Sequence, residues 1–341
     1  MSRTHTEDIL NLVSKSSTKR VINASMLLVS YLLARIMKKP LHWGLPASIS
    51  IEPTTSCNLR CPECPSGLRS FTRPTGMLDF DLYKKIIDEL SDTLVYLLLY
   101  FQGEPYLHPQ FLQLVKYAVQ KNIYTATSTN GHYLNDKKAY ETVTSGLDRL
   151  IISIDGTTQE TYQSYRVGGS LHKVIEGTKE IVKWKKKLGS GKPYTIFQFL
   201  VVKPNQHQIQ EVHELGRSLG VDAVWLKTAQ IYDYSNGSPL IPTIDKYSRY
   251  YQDDNGRYRF KNKLFNQCWK MWHSAVITWD GKIVPCCFDK DASHQVGDLE
   301  KENFRDSWRS QAYKEFRSAL LRSRGEIDIC KNCSEGSLVW A

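Results

Sequence analysis

From residue 48 onward the chain alternates between two apolar patterns. Short runs rich in β-branched and aromatic residues lie at 48–53 (SISIEP), 94–101 (LVYLLLYF), 123–130 (IYTATSTN), 149–155 (RLIISID), 194–202 (YTIFQFLVV) and 223–229 (AVWLKTA). Bounded by Gly, Pro or Asp, they predict buried strands. Between them, 79–90, 109–122, 136–145, 172–188 and 207–220 carry apolar residues three and four apart, the spacing of amphipathic helices. Asn135 and Asn205 occupy N-cap positions, and Gly220 sits where a helix would stop. Six strand–helix alternations predict an α/β fold, its parallel sheet either open or curved into part of a barrel.

The segment before this block has a different texture. Residues 21–37 are apolar but interrupted by Asn23, Ser25, Ser30 and Arg35, and are flanked by Lys19, Arg20, Lys38 and Lys39. The run is short of the roughly 20 residues that cross a bilayer. It predicts a helix packed on the main domain; the other reading is an interfacial helix on an anionic membrane.

Polar clusters recur at one place relative to the strands. Cys57–Cys64 follow the first strand, QGEP (102–105) the second, STNG (128–131) the third, SIDG (153–156) the fourth and KPN (203–205) the fifth. Any one of these is ordinary turn chemistry. Five in register along the C-terminal edge of a parallel sheet predict a ligand site, because loops converge on that face.

Composition adds the metal question. The 341 residues have 41% hydrophobic content, enough for a sizeable core in one large domain or two modest ones. Eight cysteines occur with no secretory signal in the polar stretch 1–17, so the expectation is a cytoplasmic chain whose thiols bind metal rather than form disulfides. The net charge of +10 fits nucleic acid, anionic lipid or an acidic substrate. Lys and Arg are scattered, with only 183–187 (KWKKK) dense, so a nucleic-acid-binding module stabilised by zinc is the weaker alternative and no nucleic-acid partner is expected.

CNLRCPEC (57–64) places three thiols in eight positions, three and then two residues apart. Three ligands leave one metal position open; a zinc site completed by a distant His or Cys is the other reading. The motif, directly after the first strand, resembles the cluster-binding loop of radical S-adenosylmethionine (SAM) enzymes. That resemblance implies a [4Fe–4S] cluster on Cys57, Cys61 and Cys64 whose open iron is chelated by SAM. One electron then cleaves SAM to a 5′-deoxyadenosyl radical that abstracts a substrate hydrogen. The family fold is a partial (β/α)6 TIM-like barrel, in agreement with the six alternations. By the same resemblance Gly103 and Glu104 lie near the SAM amino group, Ser128 and Asn130 end the third strand, Ser153 and Asp155 approach the ribose, Arg166 meets the SAM carboxylate, and Val202 and Asn205 contact adenine. One departure is Glu63, where relatives often carry an aromatic residue before the third cysteine.

The C-terminal third holds Cys268, Cys286, Cys287, Cys330 and Cys333. Within VITWDGKIVPCC (276–287), DGK marks a hairpin turn between alternating apolar flanks. On spacing alone zinc and iron–sulfur fit equally. Gly281, the distant Cys268 and the terminal CKNC (330–333) resemble the SPASM/twitch auxiliary domain, a small cysteine-rich α+β unit, in its single-cluster form. The resemblance implies an auxiliary [4Fe–4S] cluster on Cys268, Cys286, Cys330 and Cys333; Cys287 is open between a packed thiol and a ligand. The segments expected are an N-terminal helical extension (1–47), a radical SAM core (48–232), a connecting segment (233–261) and the auxiliary domain (262–341). The implied activity is an oxidation in which the auxiliary cluster accepts an electron. A peptide or protein is the first substrate class, a small alcohol the second and a lipid-linked molecule the third, with a flavodoxin or ferredoxin as reductant. Glu104, Asp155, His108 and the tyrosines are candidates for a base by neighbourhood only. Residues 21–37 are the place for peripheral contact with the inner face of a membrane.

Overall fold

The computed structural model describes residues 3–334; residues 1–2 and 335–341, the outer ends of the first and last expected segments, lie outside the described residues. In chain order the elements are α1 (Arg3–Ser14), α2 (Thr18–Met37), β1 (Ser48–Ile51), α3 (Pro65–Leu68), α4 (Phe80–Leu90), β2 (Tyr96–Leu98), α5 (Phe111–Gln120), β3 (Tyr124–Thr129), α6 (Asp136–Thr144) and β4 (Arg149–Ser153). There follow α7 (Gln159–Tyr165), α8 (Leu171–Lys187), β5 (Tyr194–Val201), α9 (Ile209–Leu219), β6 (Ala223–Thr228), β7 (Tyr250–Gln252) and β8 (Tyr258–Phe260). The chain ends in α10 (Lys270–His273), β9 (Ser274–Ile277), β10 (Lys282–Val284), β11 (Gly297–Asp298), α11 (Phe304–Arg309) and α12 (Gln311–Ser323).

All six expected strands and five expected helices form, their ends within three residues of the expected bounds. The helix starts have local causes. Asp79 accepts from the Asp81 and Leu82 amides, Asn135 from Lys138, Thr158 from Thr161 and Ser170 from Lys173. Gly220 ends α9 in the left-handed region at φ +80°. Asn205 is the exception among the expected caps: its side chain makes no cap hydrogen bond and is used elsewhere, as described below.

The described residues divide into two compact units. The first takes 3–56, 71–127 and 264–334, the second 57–70 and 128–263. In the first, β1 pairs in parallel with β2, and β2 with β3. On its other side β1 pairs in parallel with β9, which continues antiparallel to β10 and then β11. The expected hairpin therefore forms, and it extends the same sheet rather than making a separate one: β9 reads SAVI, buried at every position, and needs a strand on each side. Glu52, just after β1, is fully buried and forms a bidentate pair with Arg73 at 2.6 and 2.8 Å. Burial pushes its carboxyl up and the guanidinium pulls it back.

The second unit has β4, β5 and β6 in parallel register, with β7 and β8 as an antiparallel ribbon inside the expected connecting segment. Its apolar cluster joins Leu59, Cys61, Tyr165, Val202, Ala229, Ile231 and Tyr250, with Cys57 and Cys64 packed against them.

Candidate iron–sulfur and SAM sites

In the second unit, Cys57 and Cys64 are half-buried and Cys61 is buried, and none of the eight cysteines is in a disulfide. The loop turns tightly: a Cβ on Gly67 would lie 2.7 Å from the Cys61 amide nitrogen and 2.8 Å from its carbonyl oxygen, so only glycine fits there. Polar hydrogens are aimed at the sulfurs. The Leu59 amide donates to Cys57 Sγ at 3.5 Å, Asn130 Nδ2 lies 4.0 Å from the same sulfur, and Arg166 Nη1 lies 3.8 Å from Cys61 Sγ. Burial pushes the Cys61 thiol up, and the Arg166 charge opposes that. Glu63, the departure from the family pattern, accepts from the Tyr232 amide at 3.0 Å.

Arg166 is clamped from behind. Asp155, fully buried, accepts from Arg166 Nε at 2.5 Å through one oxygen and from the Leu200 amide at 2.7 Å through the other. Burial lowers the Arg166 pKa, but the charges of Asp155 and Cys61 raise it further, so the guanidinium stays cationic. Asn205 completes the arrangement. Its amide donates to the Asp155 and Leu200 carbonyls at 3.1 and 2.9 Å, and its oxygen accepts from the Val202 amide at 2.8 Å. It thus ties the end of β5 to the end of β4 instead of capping a helix. Ser128 and Ser153, both buried, lie at the C-terminal ends of β3 and β4. Arg166, Asp155, Asn205, Val202 and Asn130 are brought together with the cysteine loop in one unit.

Asn130 is oriented by a residue the sequence did not single out. His132 Nε2 accepts from the Ser170 amide at 2.8 Å, so Nδ1 carries the proton and donates toward the Asn130 oxygens at 3.0 and 3.1 Å. Asn130 Nδ2 then donates to Asn58 Oδ1 at 2.7 Å, inside the cysteine loop. Burial holds the His132 pKa down, in keeping with this neutral form. Its place in STNGH, directly after the third-strand cluster, was the available signal.

Gly103 and Glu104 belong to the first unit, against the residue that precedes Cys57. The Glu104 amide donates to the Ser56 carbonyl at 2.8 Å. Gly103 is at φ +74°, and a Cβ there would fall 2.2 Å from the Thr54 carbonyl. The Glu104 carboxylate accepts from the Tyr106 amide at 3.2 Å, a turn-capping contact. Both ring nitrogens of His108 are tied to backbone, Nε2 to the Leu78 carbonyl at 2.8 Å and Nδ1 to the Gln110 amide at 3.2 Å, so this candidate base is committed to a turn.

The second thiol set lies in the first unit. Cys330 and Cys333 are buried, Cys268 and Cys286 half-buried. Burial drives the Cys286 thiol up, with the charges of Cys287, Cys333 and Cys268 adding to it, so the sequence-distant thiols are electrostatic neighbours. Arg324, 2% exposed, donates from Nη2 to Cys333 Sγ at 3.5 Å and from Nη1 to the Gln267 carbonyl at 2.8 Å. Burial lowers its pKa, and the thiolate charges of Cys268, Cys333 and Cys330 more than reverse that. Cys287 packs against Phe101, Val276 and Val284, with Lys270 Nζ 3.3 Å from its sulfur.

Among the described residues, no three His, Cys, Asp or Glu side chains form a cage for a single metal ion. The donor chemistry fits iron–sulfur clusters: soft thiols in two groups, each with a guanidinium nitrogen within 3.8 Å of a sulfur.

Comparison with known proteins agrees. Residues 51–215 match the radical SAM superfamily, and residues 268–334 match SPASM, an iron–sulfur cluster-binding domain. The chain belongs to the radical SAM superfamily. Its cofactors are [4Fe–4S] clusters and SAM. A tungsten-containing aldehyde ferredoxin oxidoreductase cofactor-modifying protein of Pyrococcus furiosus is 28% identical over 314 residues, covering 83% of this chain and 86% of that one. A PqqA peptide cyclase of Bradyrhizobium diazoefficiens is 25% identical over 314 residues, covering 85% and 79%. Among solved structures, Streptococcus suis SuiB bound to SAM superposes with a TM-score of 0.63 at 13% identity, covering 85% of this chain and 72% of that one. The fold is thus the partial TIM-like barrel with an auxiliary cluster domain, and the chain is a radical SAM enzyme.

Proposed function

We propose that this radical SAM enzyme carries out a two-electron oxidation on a peptide or protein. The reading rests on the Cys57–Cys64 loop with Arg166, Asp155 and Asn205 packed around it, joined in the same chain to a second thiol set. A relative of nearly the same span, the PqqA peptide cyclase, supports the substrate class by its name.

In this reading Cys57, Cys61 and Cys64 hold the cluster that meets SAM, and Cys268, Cys286, Cys330 and Cys333 hold the auxiliary one. When bound, these groups supply reductive cleavage of SAM, hydrogen abstraction from substrate and a sink for one electron. The protein's part is binding and orientation. Asp155 fixes the plane of Arg166, so its cationic face is presented to an anionic ligand group without a search over rotamers. Asn205 holds the backbone beside Val202, and Gly103 and Glu104 hold backbone against Ser56. Ser128, Asn130 and Ser153 supply polar atoms at the strand ends. A flavodoxin or ferredoxin is the proposed electron donor.

The test uses the reconstituted enzyme with SAM, reductant and size-fractionated extract from the producing organism grown in heavy water. Deuterium entering 5′-deoxyadenosine from a protease-sensitive fraction, with a product two hydrogens lighter, is the expected result. Transfer from a protease-resistant small-molecule fraction would replace the peptide with a metabolite. A product of unchanged oxidation level would remove the oxidoreductase assignment.

A further inference from the structure

Helix α2 is apolar on both of its faces. Facing the protein are Arg20, Asn23 and Ser30 together with Leu27, Tyr31 and Ala34, all buried. Arg20 donates to the carbonyls of Lys15 and Asn122 at 2.5 Å, of Ser91 at 2.8 Å and of Lys121 at 3.1 Å. Asn23 exchanges two hydrogen bonds with the Leu45 backbone at 2.7 and 2.8 Å, and Ser30 donates to the Leu27 carbonyl at 3.0 Å. Tyr31 closes this face against the rings of Trp269 and Trp272, 5.2 and 5.3 Å between centroids. Facing outward instead are Ile22, Met26, Leu28, Val29, Leu32 and Ile36, each between 43% and 77% exposed. An ordinary surface helix turns polar residues outward, and a contiguous apolar face of this kind needs a cover.

Charge says which cover. Residues 18–39 contain no Asp or Glu. Lys19 stands exposed at one end of the helix, shared with Asp92 at 2.7 Å, and Arg35, Lys38 and Lys39 stand exposed at the other. Trp43, 43% exposed, follows them. A second copy seated on this face would bring these cations against their own kind. An anionic lipid surface takes the apolar face into the acyl boundary and the cations into the headgroups. By length and composition α2 could cross a membrane. Crossing would strip Arg20 from four carbonyls and carry it into hydrocarbon, so the docked helix lies in the membrane plane.

We propose that the outward face of α2 is a peripheral docking surface for an anionic bilayer, such as the cytoplasmic leaflet, with Ile22, Met26, Leu28, Val29, Leu32 and Ile36 inserted and Lys19, Arg35, Lys38 and Lys39 on the phosphates. This does not depend on the substrate proposed above.

The experiment is flotation of the reconstituted full chain with vesicles of phosphatidylglycerol and phosphatidylcholine mixed equally, and with phosphatidylcholine alone. Binding is expected to be about tenfold or more stronger on the anionic vesicles and to weaken with salt. Leu28→Gln with Leu32→Gln should weaken it about tenfold or more on both vesicle types, because two inserted side chains are lost. Lys38→Glu with Lys39→Glu should weaken it on the anionic vesicles alone. All four sites are exposed, and iron content and 5′-deoxyadenosine formation serve as controls for folding. Failure to float with anionic vesicles overturns the proposal. So does equal, salt-insensitive binding to both vesicle types. A concentration-dependent dimer dispersed by the leucine pair, without vesicle binding, would assign the face to a second copy instead.

Discussion

The two thiol sets are assembled in contrasting ways. Cys57, Cys61 and Cys64 span eight residues of one loop, while Cys268 to Cys333 span 66. The ratio is about three doublings, and each doubling of loop length adds about 0.6 kcal/mol of closure entropy, so gathering the second set costs about 2 kcal/mol more. The fold meets that cost with structure: the β9–β10 hairpin carries Cys286, and the turns after α12 carry Cys330 and Cys333. Each set also has a guanidinium against a sulfur, but the two are anchored differently. Arg166 shares its charge with the Asp155 carboxylate, whereas Arg324 is steadied by the Gln267 carbonyl and gives its other nitrogen to Cys333. The first arrangement suits a positioning role. The second suits tuning the charge on the cluster itself.

The largest effects separate the sets outright. Replacing Cys57, Cys61 and Cys64 together by Ala should abolish SAM cleavage and lower iron from about eight to about four per chain. Replacing Cys330 and Cys333 by Ala should remove a similar share of iron while 5′-deoxyadenosine still forms. Iron and sulfide analysis with a SAM-cleavage assay reads both; if each variant lost all activity and all iron, the sets would not be independent.

Next in size is the anchor of the first set. Asp155→Asn keeps the shape but leaves Arg166, its side chain only 17% exposed, without its carboxylate. Such a break costs about 3 kcal/mol or more, visible as a lower urea midpoint, and SAM should bind more weakly. An unchanged midpoint would mean that the pair does not hold the loop.

For the second set, Arg324→Gln removes a positive charge next to the thiolates. The auxiliary cluster should become harder to reduce by about 60 mV, a tenfold change in a one-electron equilibrium. Potentiometry followed by electron paramagnetic resonance measures this, and iron content shows that the cluster is still held. The corresponding change in the Cys57–Cys64 cluster should be near zero.

How far this contrast was readable beforehand follows from how local each feature is. The β/α alternation and the Cys57–Cys64 loop depend on neighbours in sequence, and both could be read directly. Arg324 is a surface-type residue by sequence, and its place beside Cys333 and Cys268 exists only once α12 has packed. Asn205 looked like a cap because that is what such residues do locally, and His132 was not singled out at all; their partners Asp155 and Ser170 lie 50 and 38 residues away. The β7–β8 ribbon was missed because three-residue strands carry too few positions to show a period. Which side of α2 faces inward escaped for a related reason. The run is apolar all round, and only the contacts of Arg20, Asn23 and Tyr31 reveal which side is inside.

The smallest effect at neutral pH falls on the side of the second set. His42 donates from Nε2 to the Trp272 carbonyl at 2.9 Å and lies edge-on to Trp308, 5.0 Å between ring centroids. Burial, with Arg317 adding to it, holds its pKa down to about 3, against about 6.5 when unfolded. Between those values the unfolded chain binds the extra proton and the folded chain does not. Stability from this group is therefore complete above about pH 6.5 and is lost as pH falls toward 3, at about 1.4 kcal/mol per pH unit. His42→Gln retains a donor for the Trp272 carbonyl and has no ring to protonate. It should be nearly silent at pH 7, yet flatten the acid limb of a stability-versus-pH curve by about one proton's slope. Urea titrations at a series of pH values decide it: an unchanged slope would mean that His42 is hydrated and protonates with the chain still folded.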